Sequence, residues 1–449
     1  MISTLEQAML LRFRTSNHRS LRDPAELSLA SSAARGAVPA DKDWLRATTR
    51  VAGIYGANAS GKSTVLDAID FLVQAVANSA TIWAKRKKFP YRPFKLDDHH
   101  RQQTSTYEVD FVVDGTRYNY GFESNHEGIH EEWLNSYPHA RPRLLFHRVG
   151  LLDSQYSFGR TLPGQNVSLS KMVGPKTLFL SFAANSQHPL LNRLADALVG
   201  GVSYAAYNEN DRNSRLRWIK QAIEDPELLR EAESLLRLAD LGISSIKLHQ
   251  ATIDDKIKQK FARIFAAINE GDDERPPEVD MEDILKEISS EIRFSHSGAN
   301  GENSGEPLSI SDASSGTIAW LTIGVPAINC LKNGQVLLID EIDASLHPLL
   351  SSTLIKMFKD ESVNKLGAQL IFTSHDVSLI GKLVDQSLGS DEVWFTEKDR
   401  GSASQLYSLH EFEVRKDDNF ERRYMQGRYG AVPMVDAGRI KRLLEKVAH

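Results

Sequence analysis

Arg50 to Ile69 reads "RVAGIYGANASGKSTVLDAI". A short apolar run, Val51 to Tyr55, enters a glycine loop. Beyond the loop, Val65, Leu66, Ile69, Leu72, Val73 and Val76 recur at spacings of three and four, which marks one apolar face of a helix. Between strand and helix, "GANASGKS" fits G-x-x-x-x-G-K-S without exception. That order predicts a phosphate-binding loop. Backbone N–H groups over Gly56, Asn58, Ser60 and Gly61 can wrap a phosphate, Lys62 can reach the terminal phosphates, and Ser63 can ligate Mg2+ with Thr64 beside it.

A second piece of the same site is "VLLIDEID", Val336 to Asp343. An apolar run of this kind suits a strand of a parallel sheet and ends in a carboxylate, so Asp340 is expected at the strand's carboxyl edge, within reach of the Mg2+ shell. Glu341 follows at once. An acid there has little structural use but can polarise an attacking water. Lys62 and Asp340 lie 278 positions apart, far more than in simple phosphate-loop enzymes, so a large insertion is expected between the halves of the core.

The intervening sequence supplies candidates for that insertion. Alternation over "YEVDFVVDGTRYNYGFES" predicts an antiparallel β-lobe near residues 100–150, with "DG" at a hairpin turn. "TLFLSFAAN" (177–185) reads equally as strand or helix. From about 190 to 300 helical patterns dominate, among them "DPELLREAESLLRLADLGI" and "KIKQKFARIFAAI", with the acidic loop "EGDDERPPEVD". The expected domains are 1–190 for the first half of the core with the β-lobe, 191–300 for a helical lobe, and 301–449 for the second half. The fold class expected is α/β.

The composition, 41% hydrophobic and 25% charged over 449 residues, is that of an ordinary globular chain. The net charge of −5 is concentrated in residues 251–290, where eleven acids face six bases. A global polyanion-binding surface is therefore not implied. No transmembrane helix and no secretory signal are read. The one cysteine, Cys330, fits a reducing, cytoplasmic setting. His99 and His100 have no partners at metal-ligand spacing, so no metal beyond Mg2+ is expected.

With "LSISDASSGTIAW" before the second piece and "FTSHD" after it, the chain resembles the ABC-type ATPases, and among them the soluble RecF, SMC and OLD kind. Gly316 lies 24 residues ahead of Asp340, and His375 lies 34 beyond Glu341. The resemblance implies that Ser314, Ser315 and Gly316, with Thr317, form a variant of the Leu-Ser-Gly-Gly-Gln signature in which Ser315 replaces the first glycine. It further implies that this segment caps the γ-phosphate held by a second subunit. Ala344 to His347 would cross the dimer interface, and His375 would be the switch histidine. ATP and Mg2+ are the implied cofactors, in a homodimer or larger homo-oligomer. The glutamine loop stays unassigned between Gln102, Gln103 and others.

A closer resemblance rests on "RFRTSNHRSLRDPAELSL", "GANASGKSTVLDAI", "SSGT" with "LLIDEIDASLHPLL", and "VRKDDNFERRYMQGRYGAVP". These look like the AAA-domain proteins of bacterial defence and abortive-infection operons, of the RloA and AriA type. Such proteins act with a separately encoded effector, often a Toprim-fold or other nuclease. The 74 residues beyond His375 are too few for a fused Toprim domain, and Glu411, Glu413, Asp417 and Asp418 read as charged surface. The alternatives are a RecF- or SMC-like DNA repair ATPase, which DNA would stimulate, and a nucleotide-gated scaffold that scarcely hydrolyses, against which Glu341 argues. Residues 190–300 lack the sustained heptads of SMC arms.

Whether DNA is contacted is left open. "WAKRKKFPYR", Trp83 to Arg92, interleaves five basic residues with three rings, a pattern that can neutralise phosphates and stack on bases. A basic helix end complementing the helix dipole is the plainer reading and is preferred. Arg415, Arg422, Arg423 and Arg428 alternate with acids and suit a protein interface better than a polyanion.

Overall fold

The computed structural model describes residues 8–31, 39, 43–239, 242–251, 260, 263, 289–296, 306–382, 388–413 and 418–432. They form two compact units, the first built from Met1–Tyr204, Cys330–Asp343 and Ser351–His449, the second from Ala205–Asn329 and Ala344–Leu350.

Two sheets organise the first unit. A seven-stranded antiparallel sheet contains β1 (Met9–Ser16), β2 (Ala25–Ser28), β4 (Ser105–Val113), β5 (Thr116–Ser124), β6 (Ile129–Tyr137), β7 (Arg143–Val149) and β8 (Gln155–Phe158), in the order β2-β1-β4-β5-β6-β7-β8. The β-lobe expected near 100–150 is thus larger at both ends: β1 pairs with β4 from Met9↔Val112 to Ser16↔Thr106. Pairing over such a separation leaves no local trace in sequence.

The second sheet contains β3 (Val51–Tyr55), β9 (Val202–Ala205), β13 (Val336–Ile339), β14 (Gln369–Thr373), β15 (Val393–Lys398) and β16 (Ser404–Ser408), ordered β16-β15-β3-β14-β13-β9. β3, β13, β14 and β15 run parallel, with Leu370↔Val51, Ile339↔Phe372 and Val393↔Gly53 in register. Four apolar strands buried on both faces give near-continuous Val, Ile, Leu and Phe runs. Their carboxyl ends therefore share one edge.

The short helix α1 (Trp44–Ala47) precedes β3, and α2 (Lys62–Asn78) follows it. All six residues of the expected apolar face of α2 are buried, and Phe71, on the same helix, stacks on Tyr107 of β4 with centroids 4.7 Å apart. After β8 come α3 (Asn166–Ser170), α4 (Phe179–Asn185) and α5 (Leu191–Gly201). α4 falls on the stretch that reads equally as strand or helix. Its first turn is fixed by a distant group: buried Glu132 accepts the N–H groups of Phe179 at 2.6 Å and Leu180 at 3.0 Å, and the Tyr120 hydroxyl at 3.1 Å. A carboxylate at a helix start satisfies donors that the helix itself leaves unpaired.

In the second unit, α6 (Glu209–Ala222) and α7 (Pro226–Leu238) accompany a three-stranded sheet of β10 (Ile243–Gln250), β11 (Ser290–His296) and β12 (Leu308–Ser309). The region read as helical thus also carries strands. "KIKQKFARIFAAI" and "EGDDERPPEVD" lie largely or wholly outside the described residues, as do Arg415 and Asp417. α8 (Ser315–Asn333) starts in this unit and ends in the first, as does α9 (Pro348–Lys359); α10 (Phe420–Met425) belongs to the first. No described helix is long and apolar enough to cross a membrane.

Candidate nucleotide-binding site

The glycine loop joins the carboxyl end of β3 to the first turn of α2. Its backbone visits the left-handed region at Ala59 (φ 61°) and Gly61 (φ 109°), and of the N–H groups expected to wrap a phosphate, that of Ser60 is donated within the loop to the Ala57 carbonyl at 3.1 Å. Gly61 is also sterically required: a Cβ there would sit 2.2 Å from Ser404 Oγ. Ser404 on β16 donates to the Ser60 carbonyl at 2.6 Å and pairs with Ser20 Oγ at 2.8 Å, while Ser20 lies 3.2 Å from Thr64 Oγ1. Ser60 Oγ pairs with Thr396 Oγ1 at 2.6 Å. The loop is thus braced from behind by hydroxyls of three distant segments. Asn58 and Ser63 face outward, exposed.

Lys62 is buried, and its ammonium donates to the carbonyls of Gly56 at 2.9 Å and Ala57 at 3.2 Å, with His375 Nδ1 3.3 Å away. Burial lowers its pKa to about 8 against the opposing pull of Glu341, Asp340 and Asp343.

Asp340 and Glu341 follow β13, and His375 follows β14, so the parallel register brings both motifs to the edge that carries the glycine loop. Thr373 links them: its hydroxyl donates to Asp340 Oδ1 at 2.7 Å and accepts the Glu341 N–H at 2.7 Å. The second bond holds Glu341 at φ 56°, a left-handed conformation that non-glycine residues rarely take. Asp343 accepts the Ser374 hydroxyl at 2.7 Å and the His375 N–H at 3.2 Å. Thr373, Asp343 and Ser404 were not singled out from the sequence. The first two lie inside the quoted motifs, but Ser404 has no local signal.

Beside the loop lies a cavity of about 470 Å3, lined by Arg19, Ser20, Tyr91, Phe94 and Lys398 among others. Asp67, on the next turn of α2 after Lys62, shapes its wall by accepting from Arg19 at 2.6 Å, Arg92 at 2.7 Å and His18 Nε2 at 2.7 Å. Burial lowers the His18 pKa. A neutral ring that donates from Nε2 accepts the Tyr107 hydroxyl at Nδ1, 2.7 Å away.

The signature candidates lie in the second unit. Ser314 Oγ accepts the Thr317 N–H at 3.1 Å and so caps α8, leaving Ser314 and Ser315 exposed. A Cβ on Gly316 would come within 3.1 Å of the Ser345 carbonyl. The loop from Ala344 to His347 therefore runs against the start of α8.

The family model described as "AAA domain, putative AbiEii toxin, Type IV TA system" matches residues 51–381, more than half of the chain. Among solved structures, the chain is similar to the SMC head domain from Thermotoga maritima, at 12% identity and a TM-score of 0.38, covering 90% of this chain and 99% of that one. It is similar also to the Smc head domain with an extended coiled coil bound to the C-terminal domain of ScpA, from Pyrococcus furiosus, at 12% identity and a TM-score of 0.38, covering 94% and 99%. No curated protein matches the chain.

Proposed function

Because the chain belongs to the AAA-domain family described above and has an α/β phosphate-loop ATPase fold, we propose that it binds and hydrolyses ATP as a nucleotide-gated regulator in a bacterial antiphage system of the RloA and AriA type. The observation that carries the ATPase part is the convergence of Lys62, Asp340, Glu341 and His375 on one sheet edge. In this reading residues 1–190 and 301–449 form the two halves of the ATPase core around an inserted lobe at 191–300.

The donor set suits Mg-ATP. Ser63 and Asp340 offer hard oxygens, and the bound Mg2+ would neutralise charge on the phosphates. Lys62 would exchange the Gly56 and Ala57 carbonyls for phosphate oxygens, loop N–H groups other than those of Ser60 and Thr64, which are donated to the Ala57 and Gly61 carbonyls, would cradle the phosphates, and the cavity beside Ser20 would take the nucleoside. Glu341 accepts a proton from the attacking water, with Thr373 fixing its backbone. His375, 3.3 Å from Lys62 Nζ, would contact the terminal phosphate.

The signature, Ser314 to Gly316, has no phosphate loop of its own to serve if it acts in trans. A homodimer, alone or within a larger ring, would complete two sites, and its closure is the output that a separately encoded effector would sense. The defence role rests on the resemblance of motifs and on the family's description. Purification at native expression with the neighbouring genes intact, followed by mass spectrometry and ATPase assay with and without DNA, tests it. A stoichiometric nuclease-like partner supports the reading; a solitary protein whose turnover rises sharply with DNA favours a repair ATPase.

A further inference from the structure

The basic run at Lys85–Lys88 is not part of the nucleotide site. Its two nearest rings are unavailable for base stacking: Trp83 and Phe89 are 8% and 2% exposed and belong to the main hydrophobic core. Arg86 instead lies over the Trp83 ring, 5.9 Å from its centroid. What the fold adds is charge from a distant segment. Lys176 Nζ donates to the Arg86 carbonyl, Leu178 N–H donates to Ser79 Oγ at 3.2 Å, and Phe89 N–H donates to the His126 carbonyl at 3.0 Å. Segments 79–89, 125–128 and 171–178 are therefore neighbours. Together they hold Lys85, Arg86, Lys87, Lys88, Lys171 and Lys176 against a single acid, Glu127. Lys85 to Lys88 and Lys171 are exposed and Lys176 half-buried.

We propose that this surface binds double-stranded nucleic acid through its phosphates, without reading the bases. Lysine dominates it. Lysine is depleted in protein–protein interfaces, where arginine is enriched, but as a flexible point charge it suits a phosphate backbone. With Trp83 and Phe89 buried, the two rings nearest the lysines offer no platform for unpaired bases, and the rings left beside them, His126 and the half-buried Tyr91, lie against each other at 6.2 Å, which disfavours single strands. The proposal goes beyond the ATPase reading and does not depend on it.

The test is fluorescence anisotropy of a short labelled duplex with the full chain, without nucleotide, over about 50 to 200 mM salt. Engagement of about five phosphates gives a slope of log K against log salt near −4.5. The triple variant Lys87→Ala/Lys88→Ala/Lys171→Ala should make that slope shallower by about 3 and weaken binding at least about tenfold at low salt. Lys87→Glu alone should weaken binding more than Lys87→Ala, which guards against a folding artefact in the triple variant. An unchanged slope in these variants overturns the proposal. So does the absence of duplex binding at about 50 mM salt, or equal affinity for a single strand or for polyglutamate of matching charge. ATP turnover without nucleic acid should be the same in all the variants, so a failure here leaves the nucleotide site untouched.

Discussion

Asp343 accepts the backbone N–H of His375 at 3.2 Å, and with it the Ser374 hydroxyl at 2.7 Å. The acid lies two residues beyond Glu341, so one turn of chain after β13 both presents the water-orienting candidate and anchors the histidine at the end of β14. His375 Nδ1 in turn lies 3.3 Å from Lys62 Nζ.

In the proposed ATPase reading Asp343 is a positioning residue. Asp343→Ala should lower ATP turnover by about 10- to 100-fold, since displacements near 1 Å cost that much in a pre-organised site, while leaving ATP affinity within a few-fold. Asp343→Asn keeps an acceptor for the His375 N–H and should recover most of the rate. Steady-state kinetics with an independent binding measurement separates the two effects; equal losses in both variants would show that charge, not placement, matters.

Lys62 predicts a pH profile. With a free-state pKa near 8, the ammonium is charged at neutral pH, and ATP binding should be flat up to about pH 7.5, then weaken toward tenfold per unit above 8 as the proton has to be taken up on binding. The groups facing it are Asp340, Glu341, Asp343 and His375. The dissociation constant of a non-hydrolysable analogue from about pH 6.5 to 9.5 checks this. Lys62→Arg, always protonated, should remove the dependence, and Lys62→Ala should lose binding altogether. The same pKa lies below the unfolded lysine's, so the unfolded chain binds more protons between about 8 and 10.5; the nucleotide-free fold should gain stability as pH rises through that window.

Glu341→Gln should keep ATP affinity, lower turnover by about 100-fold or more, and accumulate the closed dimer in ATP, visible by light scattering. Hydrolysis at the parental rate would remove Glu341 from the water-orienting role.

Glu132 predicts stability rather than activity. Glu132→Ala strands two buried N–H groups at the start of α4 and the Tyr120 hydroxyl, and should cost about 2–4 kcal/mol. Thermal unfolding measures it. A loss below about 0.5 kcal/mol would mean that water replaces the carboxylate.

The local structure around the candidate site was legible in its residues. A strand, glycine loop and helix were readable from Val51 to Val76 because their signals, an apolar run, two glycines before a lysine, and a spacing of three and four, lie within a few turns of chain. The apolar strand ending in Asp340 was readable for the same reason, and the signature and switch candidates could be placed by order and spacing. The sequence could not supply the register that sets β13 and β3 on either side of β14. Nor could it show the pairing of β1 with β4, the Ser404 brace behind Gly61, or Glu132 deciding that 179–185 is a helix. The lysines of two segments about 90 residues apart likewise meet on one surface only in the fold. Each of these is a contact between residues remote in sequence, and burial, steric fit and hydrogen-bond satisfaction act through space, so only the tertiary structure could decide them.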